Sequence, residues 1–484
     1  MRLSKLAGRN GSLEQVEVSG LTADSREVAP GYLFAAFKGT RDDGRRFIPD
    51  AVKQGAVAIL ADADTKADTG KAVLLKEANP RLSYAKMAAR FFGRQPETAV
   101  AVTGTNGKTS VVSFTRQIWQ HLGRKAGSIG TLGIEGDGIA APGGLTTPDA
   151  LKLHRALSEL AQAGIDRVAF EASSHGLAQH RVDGVRLKAA AFTNITRDHL
   201  DYHADFADYL YAKARLFGEL LPPDGVAVIN LASPVGIELE HLAWARGLRI
   251  ITVGPEGATI QVKSRTPDRD GQRLLLRIDS EDHPVRLPLI GAFQAENAVL
   301  AAGLVMATGE APKDVFAALE HLKGVPGRLE FAGRAPSGGG IYIDYAHTPD
   351  GLRNLLAAAR EHACGGLHVV FGCGGDRDTG KRPEMGAIAA EAAERVIVTD
   401  DNPRSEDPAA IRAQILAAAP GAEEIGDRAE AIRAGIAGLG PDNFLLVTGK
   451  GHERGQIVDG KVLPFSDFDE VQKVLADPAQ ESVR

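Results

Sequence analysis

The stretch Val100-Ala101-Val102-Thr103-Gly104-Thr105-Asn106-Gly107-Lys108-Thr109-Ser110 decides the fold of this chain. Its apolar start predicts a buried strand, its glycines predict a turn, and the apolar residues that follow Ser110 predict a helix. A loop between a strand and a helix N-terminus presents backbone N–H groups to an anion. In such a loop Lys108 would contact the β- and γ-phosphates, and the hydroxyl of Thr109 would bind Mg²⁺. The stretch therefore predicts a site for a nucleoside triphosphate.

One departure from the usual P-loop spacing narrows the class of protein. Most P-loops have a glycine six residues before the lysine, whereas this chain has Val102 there. The alternative interpretation, a glycine-rich turn with a solvated lysine, is disfavoured because strand, loop and apolar helix occur together. We therefore expect a phosphate-binding loop that differs from those of generic P-loop proteins.

Length and composition exclude several classes of protein. The 484 residues are too many for one hydrophobic core, and 44% hydrophobic content is enough to fill two to four domains. A net charge of −6 disfavours nucleic acid or an acidic membrane surface as the main partner. Cys364 and Cys373 are too few for a disulfide framework, so we expect free thiols. Without a signal-peptide core or an apolar run of about 18 residues, we expect a cytoplasmic protein that does not enter a membrane. We also expect a monomer.

The order of strand and helix patterns predicts an α/β fold with three domains. Residues 1–96 would form a small N-terminal α/β domain, in which Asn79-Pro80 begins a helix. Residues 97–326 would form the central P-loop domain, with a parallel sheet and a small β insertion near 259–289. Residues 327–484 would form a Rossmann-like domain, although no Gly-x-Gly-x-x-Gly follows its first strand and a dinucleotide is not expected. The best-defined elements are predicted at 149–163 and 296–307 (helices) and 167–171, 189–192, 226–229, 250–253, 341–345, 367–371, 396–399 and 444–447 (strands).

Two polar clusters follow strands of the central domain, where α/β sheets place ligands. Glu171 precedes Ser173-Ser174-His175, and a carboxylate beside hydroxyls is suited to Mg²⁺ and an anion, although Glu171 could instead be a surface acid. The segment from Arg197 to His203 contains two aspartates and two histidines. It could be a hydrogen-bonding loop, but His199 is our candidate metal neighbour, with Mg²⁺ rather than zinc as the ion.

The third domain delivers charged loops from four strands to one edge of the predicted sheet, and two of these loops contain glycines. Parallel strands place such loops together, so they predict a ligand cleft. Arginines that bind a carboxylate and carboxylates that bind an ammonium group suit a zwitterion, such as an amino acid. The loops are 344–349, 372–378, 400–404 and 449–453.

Five motifs occur in an order that resembles the Mur ligase family over essentially the whole chain. The resemblance is closest to members that add meso-diaminopimelate to UDP-N-acetylmuramoyl-L-alanyl-D-glutamate. The motifs are Gly104-Thr105-Asn106-Gly107-Lys108-Thr109, Glu171-Ala172-Ser173-Ser174-His175-Gly176, Arg197-Asp198-His199-Leu200-Asp201-Tyr202-His203, Asp344-Tyr345-Ala346-His347-Thr348-Pro349 and Asp401-Asn402-Pro403-Arg404.

The resemblance implies a role for residues along the whole chain. The UDP-linked substrate would be bound by Ser25, Thr40, Arg41, Asp42, Thr146, Thr147, Ser173, Gln179 and Arg181. ATP would be bound by Gly104, Thr105, Asn106, Gly107, Lys108, Thr109, Asn297 and Arg328. The amino acid would be bound by Arg377, Asp401, Asn402, Pro403, Arg404, Gly449 and Glu453. Catalysis would depend on Lys108, Lys213, Glu171 and His199, with Mg²⁺ near Thr109, Glu171, His199 and Lys213 as N6-carboxylysine.

The implied activity is an ATP-dependent ligation that proceeds through an acyl phosphate and supplies peptidoglycan precursors. Two alternatives within the same superfamily are an L-lysine-adding ligase and a folylpolyglutamate synthase. A third alternative, from another class, is a P-loop regulatory protein. It would give no reason for four charged loops in the third domain. Apart from the resemblance, the amphipathic pattern around Lys213 predicts only a solvated lysine on a helix.

Overall fold

The computed structural model describes residues 1–9, 12–39, 42–196 and 202–476. The chain divides into two compact units, which are Met1–Ile260 with Leu300–Val315 and Gln261–Val299 with Phe316–Arg484. The first unit therefore contains the predicted N-terminal domain and most of the P-loop domain. The finer boundaries after residues 96 and 326 stay predictions.

A small parallel sheet with order β1-β2-β3-β4 forms the N-terminal part of the first unit. Asn79 caps the helix that follows, because its Oδ1 accepts from the backbone N–H of Leu82, and Pro80 is the first helical residue, as predicted. The elements are α1 (Leu3–Ala7), β1 (Gly20–Thr22), β2 (Tyr32–Ala36), α2 (Ile48–Lys53), β3 (Ala58–Asp62), β4 (Val73–Glu77) and α3 (Pro80–Phe92).

The P-loop segment builds the main sheet of the first unit, with strand order β12-β11-β10-β5-β9-β6-β7-β8. Pairing is parallel from β12 to β6 and antiparallel from β6 to β8. The helices cover apolar strands, and Phe170, Phe192 and Leu157 lie in the core. The elements are β5 (Thr98–Thr103), α4 (Lys108–His121), β6 (Ala126–Gly130), β7 (Gly133–Gly136), β8 (Ile139–Ala141), α5 (Ala150–Gln162), β9 (Arg167–Glu171), α6 (Ser174–Ala178), β10 (Leu187–Phe192), α7 (Phe206–Arg215), β11 (Val226–Asn230), α8 (Gly236–Ala245) and β12 (Arg249–Gly254).

The predicted β insertion is an antiparallel meander, followed by two helices. Its strands are β13 (Ile260–Asp268), β14 (Gly271–Ile278) and β15 (Glu281–Leu287), and the helices are α9 (Ala292–Ala307) and α10 (Pro312–Leu319).

The last segment forms a second α/β sheet with order β16-β17-β21-β18-β19-β20. Strands β17, β21, β18 and β19 are parallel, so their carboxyl ends lie at one edge, as predicted. The short β20 precedes β21, so the four loop-bearing strands are not consecutive in the chain. The elements are β16 (Glu330–Arg334), β17 (Gly340–Asp344), α11 (Pro349–Arg360), β18 (Leu367–Phe371), α12 (Lys381–Ala392), β19 (Arg395–Val398), α13 (Pro408–Leu416), β20 (Glu423–Glu424), α14 (Arg428–Ala437), β21 (Phe444–Thr448), β22 (Gly455–Val458), β23 (Lys461–Pro464) and α15 (Asp467–Leu475).

Candidate active site

The loop between β5 and α4 has the backbone that a phosphate site requires. Gly104 has φ +145 and Gly107 has φ +85, and Gly107 caps the helix that Lys108 begins. A Cβ on Gly104 would overlap the hydroxyl of Thr193, so the close approach of β10 to this loop requires glycine. The backbone therefore presents the N-terminus of α4 to an anion.

Two lysines of this region donate to one carbonyl oxygen. The Nζ atoms of Lys108 and Lys213 lie 2.9 and 2.7 Å from the carbonyl oxygen of Gly104. The prediction of a solvated Lys213 is wrong, since only 1% of the residue is exposed and its Nζ lies 4.3 Å from the centre of the Tyr209 ring. Tyr209 also shares a 2.9 Å hydrogen bond with Thr105, which places α7 against the loop.

Glu171 lies beneath the start of α4 and is 1% exposed. Its Oε1 accepts from the hydroxyl of Thr109 at 3.1 Å and from the backbone N–H of Thr131 at 2.7 Å. Within the described residues this buried carboxylate has neutral donors and no ion-pair partner. A divalent cation would supply the missing charge, and a carboxylate with a threonine hydroxyl is a donor set that Mg²⁺ accepts. These residues therefore fit the expected ion.

The predicted UDP-substrate residues of the central domain lie around Glu171. The hydroxyl of Thr147 donates to the Glu171 carbonyl at 2.8 Å and shares a 3.0 Å hydrogen bond with Ser173. Arg181 donates to the Thr147 carbonyl at 2.8 Å and to Gln179 at 2.8 Å. Thr146 joins the cluster through the hydroxyl of Thr131 at 3.3 Å. The structure thus brings all five predicted residues of this set together next to the P-loop.

The predicted UDP-binding residues of the N-terminal segment are only partly described. Ser25 begins a short 3-10 turn that Asp24 caps, and Asp42 accepts from the backbone of Gly39 at 2.9 Å. Thr40 and Arg41 lie outside the described residues. Among the residues that are described, no hydrogen bond joins Ser25 or Asp42 to the cluster around Glu171. The candidate metal neighbour His199 also lies outside the described residues.

Asn297 and Arg328, the two predicted ATP contacts outside the P-loop, lie in the second unit. They are joined by Gln294, which the sequence interpretation missed. Gln294 donates to the Arg328 carbonyl at 2.9 Å and accepts from Asn297 at 3.2 Å. The Arg328 guanidinium lies 5.0 Å from the centre of the Tyr345 ring, a cation–π contact. Nearby, burial raises the pKa of the Asp344 carboxyl, although Arg328 and two backbone donors oppose the shift.

The loops after β19 and β21 form one hydrogen-bonded cluster in the second unit. Asn402 donates to Glu453 at 3.0 Å and accepts from Lys450 at 3.1 Å. A Cβ on Gly449 would lie 2.6 Å from Asp401 Oδ2, so glycine allows these two loops to meet. Burial raises the pKa of the Asp401 carboxyl, against the opposing charges of Arg428 and Lys450. We name Asp401, Asn402, Lys450 and Glu453 the Asp401 cluster.

Arg404 lies at the rim of the Asp401 cluster with a left-handed backbone, φ +54. One terminal nitrogen of its guanidinium donates to the Gly375 carbonyl at 2.7 Å. The carbonyl of Pro403 faces Gly375, where a Cβ would overlap it. Arg377 is exposed and donates to the neighbouring Asp376 carbonyl at 3.2 Å. The loop after β18 therefore contacts Arg404 through its glycines, while Arg377 points to the surface.

Sequence interpretation missed several buried charged residues that support these sites. Arg215 and Asp183 form a two-point ion pair, at 2.6 and 2.9 Å, that anchors the end of α7. Arg428 and Asp467 form another at 2.7 and 2.8 Å with both side chains fully buried. Neither pair has a sequence signal, because its members are separated by 32 and 39 residues. Lys450 could have been found, since it lies in the Gly449-Lys450-Gly451-His452-Glu453 loop.

Two features are absent from the part of the chain that the structure describes. No group of three or more His, Cys, Asp and Glu side chains in that part of the chain could hold a metal ion. Nor does any helix there have the length and apolar character that crossing a membrane requires. The cysteines Cys364 and Cys373 are free, as predicted.

Comparison with known proteins gave matches along the whole chain. Family models match residues 17–92 (Mur ligase family, catalytic domain), 102–305 (Mur ligase middle domain) and 327–451 (Mur ligase, glutamate ligase domain). Two curated relatives, from Bradyrhizobium diazoefficiens and Caulobacter vibrioides, are each 52% identical to it. The first match covers 98% of this chain and 99% of the relative, and the second covers 98% of each. Both relatives are named UDP-N-acetylmuramoyl-L-alanyl-D-glutamate–2,6-diaminopimelate ligase. A solved structure with that same name is 30% identical over 100% of both chains, with a TM-score of 0.76.

Proposed function

Because the chain belongs to the Mur ligase family, we propose that it is an ATP-dependent ligase that joins meso-diaminopimelate to UDP-N-acetylmuramoyl-L-alanyl-D-glutamate. The reaction would take place in the cytoplasm, during the synthesis of peptidoglycan precursors. The observation that carries the ligase chemistry is that Lys108 and Thr109 begin α4 directly after the Gly104–Gly107 loop, where Thr109 donates to the buried Glu171. The names of the relatives support the choice of substrates.

The first step joins two anions, the D-glutamate carboxylate and the γ-phosphate of ATP. The backbone N–H groups at the start of α4 and the Lys108 ammonium group would stabilise the charge that develops on the transferred phosphoryl group. Thr109 and Glu171 would hold Mg²⁺, which neutralises phosphate charge when it is bound. A carboxylate oxygen forms a bond to the γ-phosphorus, the bond to ADP breaks, and an acyl phosphate results.

The second step transfers the acyl group to the amine of the amino acid. The nitrogen attacks the acyl carbon, a tetrahedral intermediate forms, and phosphate leaves with the original carboxylate oxygen. Positioning of the reacting groups lowers the barrier. The UDP-linked substrate would be held by Thr147, Ser173 and Arg181, and Ser25 with residues 40–42 would bind its uridine end. Asn297 and Arg328 would contact ATP.

The Asp401 cluster and Arg404 would bind the amino acid, together with Arg377. Carboxylates of Asp401 and Glu453 suit its ammonium groups, while the guanidinium of Arg404 suits the second carboxylate of meso-diaminopimelate. L-Lysine lacks that second carboxylate. The two charge types in one cluster therefore favour diaminopimelate over lysine as the substrate.

Lys213 would act as N6-carboxylysine, which converts a buried cation into an anion. Its Nζ lies 2.7 Å from the carbonyl oxygen of Gly104, in the loop that would bind the phosphates. A carbamate there would support a second Mg²⁺ through its oxygen atoms, with Glu171 and His199 as neighbours of the metals.

A substrate-omission assay tests the proposed function. The purified protein, ATP and Mg²⁺ should release phosphate only when UDP-muramoyl dipeptide and meso-diaminopimelate are both present, with the ligated product seen by mass spectrometry. Turnover that is indifferent to both substrates would indicate a regulatory nucleotide-binding protein. Turnover that requires L-lysine or a folate instead would move the chain to another ligase of the superfamily.

A further inference from the structure

The hairpin formed by β22 and β23, Gly455–Pro464, holds the backbone of Arg404. The backbone N–H of Arg404 donates to the carbonyl of Ile457 at 3.0 Å. The backbone N–H of Asp459 donates to the carbonyl of Arg404 at 2.7 Å. Both polar backbone groups of Arg404 are therefore bonded to the hairpin, one to β22 and the other to the turn that follows it, and Arg404 is in parallel register with Val458.

Two more hydrogen bonds tie the hairpin to the residues that precede Arg404. The side-chain amide of Gln456 donates to the carbonyl of Asp401 at 2.7 Å, and the backbone N–H of Ile457 donates to Asn402 Oδ1 at 2.9 Å. The hairpin therefore fixes positions 401, 402 and 404. The loop that would recognise the amino acid depends on a segment that follows it by more than 50 residues.

The backbone of Arg404 needs this support. A φ of +54 lies in the left-handed region, which a residue with a long side chain rarely adopts. Such a conformation persists where surrounding contacts determine it, and it is concentrated at functional sites. The φ angle also sets the direction of the Cα–Cβ bond. Release of the loop would therefore turn the Arg404 guanidinium away from its present place beside Gly375.

The turn of the hairpin has a backbone conformation that favours pairing of its two strands. Asp459 and Gly460 join the two strands with φ values of +47 and +73, which is the pattern of a type I′ turn. An isolated two-stranded hairpin is only marginally stable in water. The bonds to Asp401, Asn402 and Arg404 therefore stabilise hairpin and loop together.

We propose that this hairpin determines the choice of amino-acid substrate, with Gln456 as a positioning residue that fixes the Asp401–Arg404 loop. The inference rests on the proposed function, in which Arg404 binds the second carboxylate of meso-diaminopimelate. Gln456 acts through the loop and does not itself contact the substrate. Its loss weakens binding of diaminopimelate and leaves the phosphate chemistry of the first unit unchanged.

Two substitutions test the proposal, one at the side chain of Gln456 and one in the turn of the hairpin. Gln456→Glu keeps the size of the side chain but replaces the donor to Asp401 with an acceptor. Gly460→Val strains the turn at φ +73, where its Cβ would meet nothing within 4 Å. Each variant should raise the KM for diaminopimelate about fivefold to tenfold, the size of effect expected from one lost hydrogen bond. The value of kcat and the KM for ATP should change less than about twofold, and discrimination against L-lysine should fall with the rise in KM.

Val462→Thr is the matched control, because Val462 lies in the same hairpin with 69% of the residue exposed. It should leave every kinetic constant unchanged. A double-mutant cycle separates positioning from a general structural role: in an Arg404→Ala background, Gln456→Glu should raise the KM for diaminopimelate by a smaller factor than it does in the wild-type protein, because part of its effect passes through Arg404. Additive effects of the two substitutions would overturn the proposal.

The outcomes distinguish this inference from the proposed function. If the wild-type protein ligates diaminopimelate but Gln456→Glu and Gly460→Val both leave the KM for diaminopimelate unchanged, the inference alone is overturned. A wild-type protein that does not use diaminopimelate overturns the proposed function and this inference with it.

Discussion

Lys108 and Lys213 share one acceptor, the carbonyl oxygen of Gly104, at 2.9 and 2.7 Å. Two ammonium groups around one oxygen repel each other, and burial of Lys213 leaves that repulsion poorly screened. The proposed carbamate on Lys213 would reverse the sign of this interaction. It would add an attraction to Lys108 and to Mg²⁺ where the phosphates bind.

Lys213→Ala should therefore be nearly inactive, and short carboxylic acids should restore part of the activity because they supply the missing anion. The measurement is phosphate release with and without added acetate or formate. A crystal grown near neutral pH with nucleotide bound gives the decisive control. A bare ammonium group at Lys213 in its electron density would refute the carbamate.

Lys108→Ala should lower kcat at least about 100-fold, because a positioned cation at a phosphoryl-transfer site stabilises the transition state by several kcal/mol. Circular dichroism should show an unchanged fold. Lys188→Ala provides the comparison, since that lysine is half exposed and pairs only loosely with Asp224 at 3.8 Å. Near-normal turnover of a folded Lys108→Ala protein would remove the P-loop assignment.

Arg404→Ala should lose affinity mainly for meso-diaminopimelate. L-Lysine would leave the guanidinium of Arg404 without its carboxylate, so the wild-type enzyme should prefer diaminopimelate about 1,000-fold or more in kcat/KM. The KM values for ATP and the UDP-linked substrate should change little. Equal use of lysine by the wild-type enzyme would show that the substrate assignment is wrong even if the ligase chemistry stands.

Arg428→Ala should destabilise the protein by about 3–5 kcal/mol, because it leaves the carboxylate of Asp467 buried without its partner. Urea unfolding followed by circular dichroism measures the change. Arg353→Ala is the control, since Arg353 and Asp350 form a pair with side chains 61% and 89% exposed. That change should stay within about 0.5 kcal/mol. Similar losses of stability in the two variants would contradict the expectation that the buried ion pair matters more than the exposed one.

Asp401→Asn tests the pKa that burial raises. As pH rises through the ordinary carboxyl range, the unfolded chain loses its proton from Asp401 before the folded protein does. The wild-type protein should therefore lose stability relative to Asp401→Asn as pH rises, until the folded-state carboxyl also ionises. Urea unfolding of both proteins across that range gives the difference. A difference that does not change with pH would show that the pKa of Asp401 is not raised.

Local signals predicted much of the fold. The side chains of Asn79 and Asp149 each accept a hydrogen bond from the backbone N–H three residues later. Such caps are local signals, so α3 and α5 begin as predicted. Strands β9 and β18 have the predicted bounds because each is a short apolar run between polar segments. The rule that parallel strands place ligand loops at their carboxyl ends also predicted the Asp401 cluster.

Contacts between residues far apart in the sequence could not be predicted from local patterns. The buried ammonium group of Lys213 donates to the carbonyl of Gly104, which lies 109 residues earlier, and no pattern along α7 identifies that acceptor. Gln294 joins Asn297 to Arg328 through a similar contact, over 34 residues. The hairpin of β22 and β23 differs, since Asp459-Gly460 between short apolar strands is a recognised hairpin signal that the sequence interpretation overlooked.

Transfer of an oxygen isotope tests the central claim, ligation through an acyl phosphate, most directly. UDP-muramoyl dipeptide labelled with ¹⁸O in the reacting D-glutamate carboxylate would be incubated with the protein, ATP, Mg²⁺ and meso-diaminopimelate. Mass spectrometry of the released phosphate should find one ¹⁸O atom per phosphate, because the carboxylate oxygen leaves with phosphorus when the amide forms. Ligated product accompanied by unlabelled phosphate would contradict the account.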